Sequence, residues 1–378
     1  MEYFLTDKEK EIKKLARQVA EEKMKPLREK YDEEEIFPWD IVKIFAQADL
    51  FKVLLPEEYG GFGGKVMDLV IMMEELSRVD SGIALALGGT GLGITPILIS
   101  GNEEQKRKYF PKIETGEKLA AFALTEADAG SDAGAIKTTA TKDGDYYILN
   151  GTKRFITNGG EADIYSVFAL TDKTKGARGA SAFIVEKGTD GFSFGKKEDK
   201  LGIRATATRE LIFEDCKVPK ENLIAREGMG FMIAMKTFDE SRPMVAAQAI
   251  GIAQGALEEA VLYSKEWHQF GKPISSFQGI QLMLADMAMK IEAARALIYS
   301  TARVIDSGVR KYSKESAMCK CYAADVAMEV TTNAVQILGG YGFMNKYAVE
   351  KMMRDAKITQ IYEGTNQIQR VVIASNLL

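Results

Sequence analysis

The segment Gln360-Ile361-Tyr362-Glu363-Gly364-Thr365-Asn366-Gln367 sets one carboxylate among neutral neighbours. Gly364 follows it, freeing the backbone for a loop and letting a ligand approach closely. An apolar setting raises a carboxyl group's pKa and suits it to abstracting a proton, whereas in a solvated loop the same residue is chemically idle. A second stretch, Leu124-Thr125-Glu126-Ala127-Asp128-Ala129-Gly130-Ser131-Asp132, offers hydroxyls and free backbone N–H groups that can hold the polar edge of a ring. Further on, Lys153-Arg154-Phe155-Ile156-Thr157-Asn158-Gly159 pairs an aromatic face with a hydroxyl two positions later, so both can lie on one side of a strand. Each is alone an ordinary turn or strand; together they form a platform for a flat heteroaromatic ring.

Other chemistries find little support. His268 is the only histidine, which rules out multi-imidazole metal sites and leaves no material for a histidine-based triad, so no metal is expected. Cys216, Cys319 and Cys321 are too few and too poorly spaced for a disulfide framework or a zinc site and read as reduced thiols of a cytoplasmic protein. Fifty basic residues against 54 acidic ones give no field directed at nucleic acid or an anionic membrane. The run Gly88-Gly89-Thr90-Gly91-Leu92-Gly93 lacks the dinucleotide fingerprint, and Ile71–Val79 before it has helical character, so these glycines read as sites of close backbone packing. No stretch of about 18 apolar residues is expected to span a bilayer, and the acidic N-terminal helix is neither signal nor transit peptide.

The elements that must position these residues fall into three blocks. Thr6 and Glu9 fit a capping box, with Ile12, Leu15, Ala16, Val19 and Ala20 at helical spacing behind it, and residues 1–120 read as helical. Residues 121–225 change texture: short β-branched and aromatic runs alternate with Asp143-Gly144, Asn150-Gly151, Asn158-Gly159 and Asp190-Gly191. Tyr146–Leu149, Ile164–Leu170, Ala182–Glu186 and Glu210–Phe213 are the clearest strands of an antiparallel barrel or sandwich. Residues 226–378 return to helical periodicity, with segments near Arg242–Lys265, Phe277–Asp306 and Lys314–Leu338 separated at Gly271-Lys272-Pro273 and Gly339-Gly340, as in an antiparallel bundle. The class is therefore α+β in the order helices, sheet, helices.

Over essentially its whole length the chain resembles the acyl-CoA dehydrogenase family. The motifs are Ala123-Leu124-Thr125-Glu126 through Ser131, Phe155-Ile156-Thr157-Asn158, Gln269-Phe270-Gly271-Lys272, Gln336-Ile337-Leu338-Gly339-Gly340 and Ile361-Tyr362-Glu363-Gly364-Thr365. The resemblance implies a helical N-terminal domain, a β middle domain and a C-terminal four-helix bundle. It also implies FAD, an acyl-CoA substrate, a homotetramer built as a dimer of dimers, and an electron-transfer flavoprotein as acceptor. Glu363 matches the base that takes the α-proton while the β-hydride leaves to the flavin, giving a trans-2-enoyl-CoA.

Residue by residue, Leu124, Thr125 and Ser131 match the loop along the flavin, Ser131 also the pantetheine entrance; Phe155, Ile156 and Thr157 match the strand packed on the ring. Phe270, Gln278, Gln336 and Gly340 match positions that hold the adenosine and pyrophosphate part of FAD from a neighbouring subunit. Thr365 and Gln367 match the FAD-touching loop after the base. Phe238, Asp239 and Arg242 match the CoA channel, and the Glu363 N–H, with Gly364 beside it, matches the donor to the thioester carbonyl.

A few relatives carry the base just before the channel arginine; here that position is Ser241, and Glu240, about 100° round the helix, reads as solvated surface. Trp267 stands where the family usually has an arginine against the FAD pyrophosphate, with Lys272 or His268 as replacements. From Ser81 to Gln105 there is no lysine or arginine to meet a dicarboxylyl group, and glycines 88, 89, 91 and 93 could make room for a branched, cyclic or medium-length acyl group. Three alternatives stay open on the same fold: an enoyl-CoA reductase working with a bifurcating flavoprotein, an oxidase reoxidised by oxygen, and a non-catalytic acyl-CoA-binding paralogue.

Overall fold

The computed structural model describes residues 3–378. Thr6 and Glu9 close the capping box: the Thr6 hydroxyl accepts the Glu9 N–H and the Glu9 carboxylate accepts the Thr6 N–H at 2.8 Å. They start α1 (Asp7–Val19), which buries Ile12, Ala16 and Val19 along one stripe. Helices α2 (Arg28–Glu34), α3 (Trp39–Gln47), α4 (Val66–Ser77), α5 (Ser81–Ser100) and α6 (Glu103–Glu114) complete the first block.

The middle block is β1 (Ala120–Ala123), β2 (Thr139–Asp143), β3 (Tyr146–Thr157), β4 (Ile164–Leu170), β5 (Ala180–Glu186), β6 (Phe192–Lys197), β7 (Thr208–Pro219) and β8 (Leu223–Ile224). They form one sheet in the order β6-β7-β3-β2-β4-β5-β8, with β1 beside β4. Most pairings are antiparallel, whereas β1–β4 and β2–β4 are parallel. β1, β2 and β6 were not legible as strands: β1 is a run of alanines and one phenylalanine, and β2 and β6 are largely polar.

The last block opens with α7 (Gly230–Glu266), a single 37-residue helix. A short hairpin of β9 (His268–Gln269) and β10 (Lys272–Pro273) leads to α8 (Gln278–Asp306) and α9 (Ser313–Leu338). Then follow α10 (Ala348–Thr359) and α11 (Asn366–Ser375).

Helix α5 corrects two readings. It is long and apolar enough by length and composition to cross a membrane, contrary to expectation, yet 72% of its apolar window is buried within the protein. Its glycines mostly serve packing rather than space for a substrate. A Cβ on Gly93 would lie 2.4 Å from the Ala121 nitrogen of β1, and one on Gly89 would lie 2.9 Å from the Asn158 amide. Gly91 faces a narrow cavity.

Candidate active site

Glu363 sits in the loop between α10 and α11, at φ 51°, and Gly364 follows at φ 91°, a conformation that favours glycine. The loop is anchored from beneath. Gln369 of α11, fully buried, donates to the carbonyls of Glu363 at 3.0 Å and Gly364 at 2.9 Å. Lys320 of α9, also fully buried, donates to the Gly364 carbonyl at 2.8 Å and to Asn366 Oδ1 at 3.1 Å. Thr365 caps α11, its hydroxyl accepting the Ile368 N–H at 3.2 Å, and Gln367 is exposed in the first turn. Among the described residues neither the Glu363 nor the Gly364 N–H has an acceptor, so both remain available to a ligand.

Helix α7 meets the carboxyl group from above. The Ser241 hydroxyl donates to Glu363 Oε2, and Arg242 is buried next to it. Burial raises the pKa of Glu363; the Ser241 hydrogen bond and the charges of Arg242 and Lys320 oppose that rise without cancelling it. The uncharged surroundings read from the sequence are thus only local: two cations approach from distant helices. Arg242 binds Asp239 at 2.8 Å and lies 5.9 Å from the Phe238 ring, which brings the three channel residues together.

Glu240 is not solvated surface. It is half-buried, accepts a hydrogen bond from the Tyr312 hydroxyl at 3.3 Å, and has its pKa raised by burial. With Ser241, Gly91, Leu92 and Thr95 it lines a narrow cavity of about 60 Å³.

The platform forms at the end of β3. The Arg154 N–H donates to the Thr125 carbonyl at 2.8 Å, joining the Leu124–Asp132 loop to the strand. A register shift between Lys153 and Ile156 and a φ of 58° at Phe155 mark a bulge. Across this bulge the Phe155 ring is 58% exposed, Ile156 is buried, and Thr157 is half-buried against α5. Leu124 and Ile156 are themselves buried and shape the site through the backbone, and Ser131 is exposed.

Beneath the platform lies an ion pair that the sequence reading passed over. Lys153, fully buried, donates to Glu126 Oε1 at 2.7 Å and to the Leu124 carbonyl at 3.0 Å. Glu126 also accepts the N–H groups of Lys137 at 2.6 Å and Thr138 at 3.0 Å. The signal was present: Tyr147, Leu149, Gly151 and Lys153 alternate along β3, which puts the lysine on the inward face.

Phe270, Gln278, Gln336 and Gly340 gather elsewhere. Phe270 and Gly340 line an apolar groove of about 840 Å³ where the start of α8 meets the end of α9, and Gln278 and Gln336 are exposed at those same helix ends. Sixteen residues of α9 separate Lys320, under Glu363, from Gln336, a rise of about 24 Å, so these residues form a second place on the chain. Trp267 lines the groove, stacked on Tyr263 at 5.9 Å and edge-on to Tyr341 at 5.2 Å. Neither proposed replacement for the missing arginine lines it: Lys272 stands 4.5 Å over the Phe277 ring, and His268 Nδ1 pairs with the Glu266 carbonyl at 2.9 Å.

A helical–sheet–helical protein with a buried carboxyl group on a loop of its last helical block is the class this architecture defines. Family models for the acyl-CoA dehydrogenase N-terminal, middle and C-terminal domains match residues 6–117, 121–216 and 228–378. The chain belongs to the acyl-CoA dehydrogenase family. It is 49% identical to the short-chain-specific acyl-CoA dehydrogenase of Clostridium acetobutylicum, covering 100% of both chains. Butyryl-CoA dehydrogenase from Megasphaera elsdenii superposes with a TM-score of 0.97 at 48% identity, again over 100% of both. A chain solved in work on the electron transferring flavoprotein of Acidaminococcus fermentans and flavin-based electron bifurcation superposes at 0.98 with 53% identity, also over 100% of both.

The family implies FAD, and the residues present fit it. Phe155 offers an exposed ring at the rim of the sheet, Thr157 has a hydroxyl free of protein partners, and Gly130 and Ser131 carry N–H groups without acceptors among the described residues. A Cβ on Gly340 would meet nothing within 4 Å, which leaves the backbone there open to a ligand.

Proposed function

We propose that the protein oxidises a short, uncharged acyl-CoA thioester to the trans-2-enoyl-CoA, with Glu363 as the base. One observation carries the assignment: a carboxyl group of raised pKa, fixed by Ser241 and approached by Arg242, on a loop whose adjoining N–H groups are free. FAD, when bound, supplies the two-electron acceptor. Leu124, Thr125, Ser131, Phe155, Ile156, Thr157, Thr365 and Gln367 would hold it from one copy.

Glu363 takes the α-proton on its carboxylate. Its own N–H, with Gly364 keeping the approach open, donates to the thioester carbonyl and stabilises the charge that develops there, an oxyanion effect worth several kcal/mol where water is excluded. Phe238, Asp239 and Arg242 line the approach of the CoA portion. Glu240 on the narrow cavity adds a like charge against any distal carboxylate, in line with the absence of lysine and arginine from Ser81 to Gln105.

The groove around Phe270, Gln278, Gln336 and Gly340 serves the FAD of a second copy in a homotetramer. Its distance along α9 from Glu363 supports this, since one bound cofactor would have to reach both places on the same chain. Electrons pass to an electron-transfer flavoprotein, the protein works in the cytoplasm, and its domains divide near residues 120 and 225.

The test is anaerobic. Glu363→Gln keeps FAD and still binds butyryl-CoA but does not bleach the flavin, whereas full bleaching by that variant rejects the base assignment. The similarity to the chain from the bifurcation work favours a second reading, enoyl-CoA reduction with a bifurcating flavoprotein. The same residues would act in reverse, and the flavin potential measured with butyryl-CoA and crotonyl-CoA bound decides the direction.

A further inference from the structure

Lys320 presents an unusual balance of charge. It is fully buried, and its ammonium group has two hydrogen-bond acceptors, the Gly364 carbonyl at 2.8 Å and Asn366 Oδ1 at 3.1 Å, both neutral. Among the described residues no carboxylate oxygen lies within ion-pair distance of it. An ammonium group taken out of water without a paired carboxylate costs several kcal/mol, so a residue of this kind is anomalous as a purely structural element. Methionine or leucine would fill the same volume without that cost.

The charged and titratable groups that face it come from three elements. Arg242 approaches from α7, Cys321 and Asp325 from α9 itself, and Glu363 from the loop. Asp325 is already engaged, with Arg370 at 2.7 Å and with the amides of Gln360 at 2.7 Å and Asn366 at 2.8 Å. Arg242 is engaged by Asp239. Cys321 is a buried thiol whose pKa burial raises, which keeps it neutral. The Glu363 carboxylate, by contrast, has no ion pair among the described residues; its one hydrogen-bond partner there is the neutral Ser241 hydroxyl, while the Arg242 side chain reaches the Glu363 carbonyl at 3.5 Å. A buried cation without a paired carboxylate therefore holds the turn that carries a buried carboxyl group, which Arg242 approaches without an ion pair among the described residues.

We infer that Lys320 is a positioning residue for Glu363: it pins the Glu363–Gly364 turn through the Gly364 carbonyl and adds to Arg242 a second positive charge that helps keep the carboxylate ionised. This rests on the reading of Glu363 as the base. Fixing the Gly364 carbonyl toward α9 sets the orientation of the turn, which leaves the Glu363 N–H unbonded within the chain. The ammonium charge offsets part of the burial that raises the Glu363 pKa, so the base is poised rather than permanently protonated. Burial in turn draws the Lys320 pKa down to about 8, and the field of Glu363 opposes that fall.

The test compares Lys320→Met and Lys320→Gln with the unaltered holoenzyme, following the rate of anaerobic flavin bleaching by butyryl-CoA against pH. Both variants remove the charge, but glutamine keeps a donor for the Gly364 carbonyl. The acid limb of the profile moves up by about one pH unit in both, and Lys320→Gln melts closer to the unaltered protein than Lys320→Met does. Where Lys320→Met does not fold, Lys320→Gln carries the measurement. A second readout needs no turnover: the gain in melting temperature from Glu363→Gln at neutral pH becomes larger in the Lys320→Gln background, because the uncompensated carboxylate there is costlier. A folded, FAD-loaded Lys320→Gln with an unmoved limb and an unchanged gain overturns the proposal and leaves Lys320 as scaffold alone. Bleaching by Glu363→Gln instead removes the base, and this proposal with it; the two failures are thus told apart.

Discussion

Ser241 on α7 and Glu363 on the loop before α11 meet across 122 residues of sequence, the hydroxyl donating to the carboxylate. That contact stabilises the ionised form of a group that burial would otherwise protonate, so Ser241 opposes the upward shift. Ser241→Ala removes it. The base must be ionised to accept a proton, and a further rise in its pKa moves the acid limb of the bleaching rate to higher pH. A hydrogen bond worth ~1 kcal/mol corresponds to roughly 0.7 pH unit. The rate on the alkaline plateau stays within a few-fold; an unmoved limb in Ser241→Ala refutes the role.

The same raised pKa has a consequence for stability with a definite sign. The folded protein holds the Glu363 proton more tightly than the unfolded chain, so this group favours folding most below the ordinary glutamate range. That contribution is lost as pH rises through the folded pKa. Glu363→Gln abolishes the dependence. The variant should match the parent near pH ~4 and melt roughly 1–3 °C above it at pH ~8. Differential scanning calorimetry at the two pH values decides, and equal melting temperatures at both would show that burial costs this carboxylate nothing.

Much of this arrangement was legible, and what was not shares a physical reason. The three blocks and Glu363 announce themselves through local pattern: helical period, turn pairs and a carboxylate before a glycine. Lys320 and Lys153 did not, although each occupies a position its own element marks as buried. Ser316, Cys319, Lys320 and Ala323 form one helical stripe of α9, and Lys153 follows Leu149 and Gly151 on the inward face of β3. A charged residue on an apolar stripe is easily passed over because its partners, Gly364 and Glu126, lie elsewhere in the sequence. Glu240 failed for the converse reason: local helical geometry sets it apart from Ser241, but only the fold brings Tyr312 and the walls of a cavity to it.

Lys153 and Glu126 tie the Leu124–Asp132 loop to β3 from within. Removing one partner leaves the other as an unpaired buried charge, which costs about 3–5 kcal/mol. Lys153→Met should lose that much in chemical denaturation and purify with reduced flavin. Adding Glu126→Gln restores part of the stability, because the stranded carboxylate is neutralised. The double variant being no more stable than Lys153→Met alone would deny that the pair acts as one unit.

Two glycines of α5, two residues apart, separate packing from access. Gly93 lets the helix lie against β1, where a methyl group would come within 2.4 Å of the Ala121 nitrogen and 2.6 Å of the Ala120 carbonyl carbon. Those are backbone atoms, held by the parallel pairing of β1 with β4, and they cannot rotate out of the way. Gly93→Ala therefore forces the helix from the sheet and costs about 1–3 kcal/mol, in spite of alanine's better helix propensity. Gly91 faces the narrow cavity beside Ser241, and its nearest neighbour is the end of the flexible Leu54 side chain at 3.1 Å. Gly91→Ala should leave the melting temperature unchanged or slightly raised, since helix propensity then acts unopposed. Thermal melts of the two variants side by side give the answer, and a Gly91→Ala loss as large as that of Gly93→Ala would mean that α5 is clamped along its whole length.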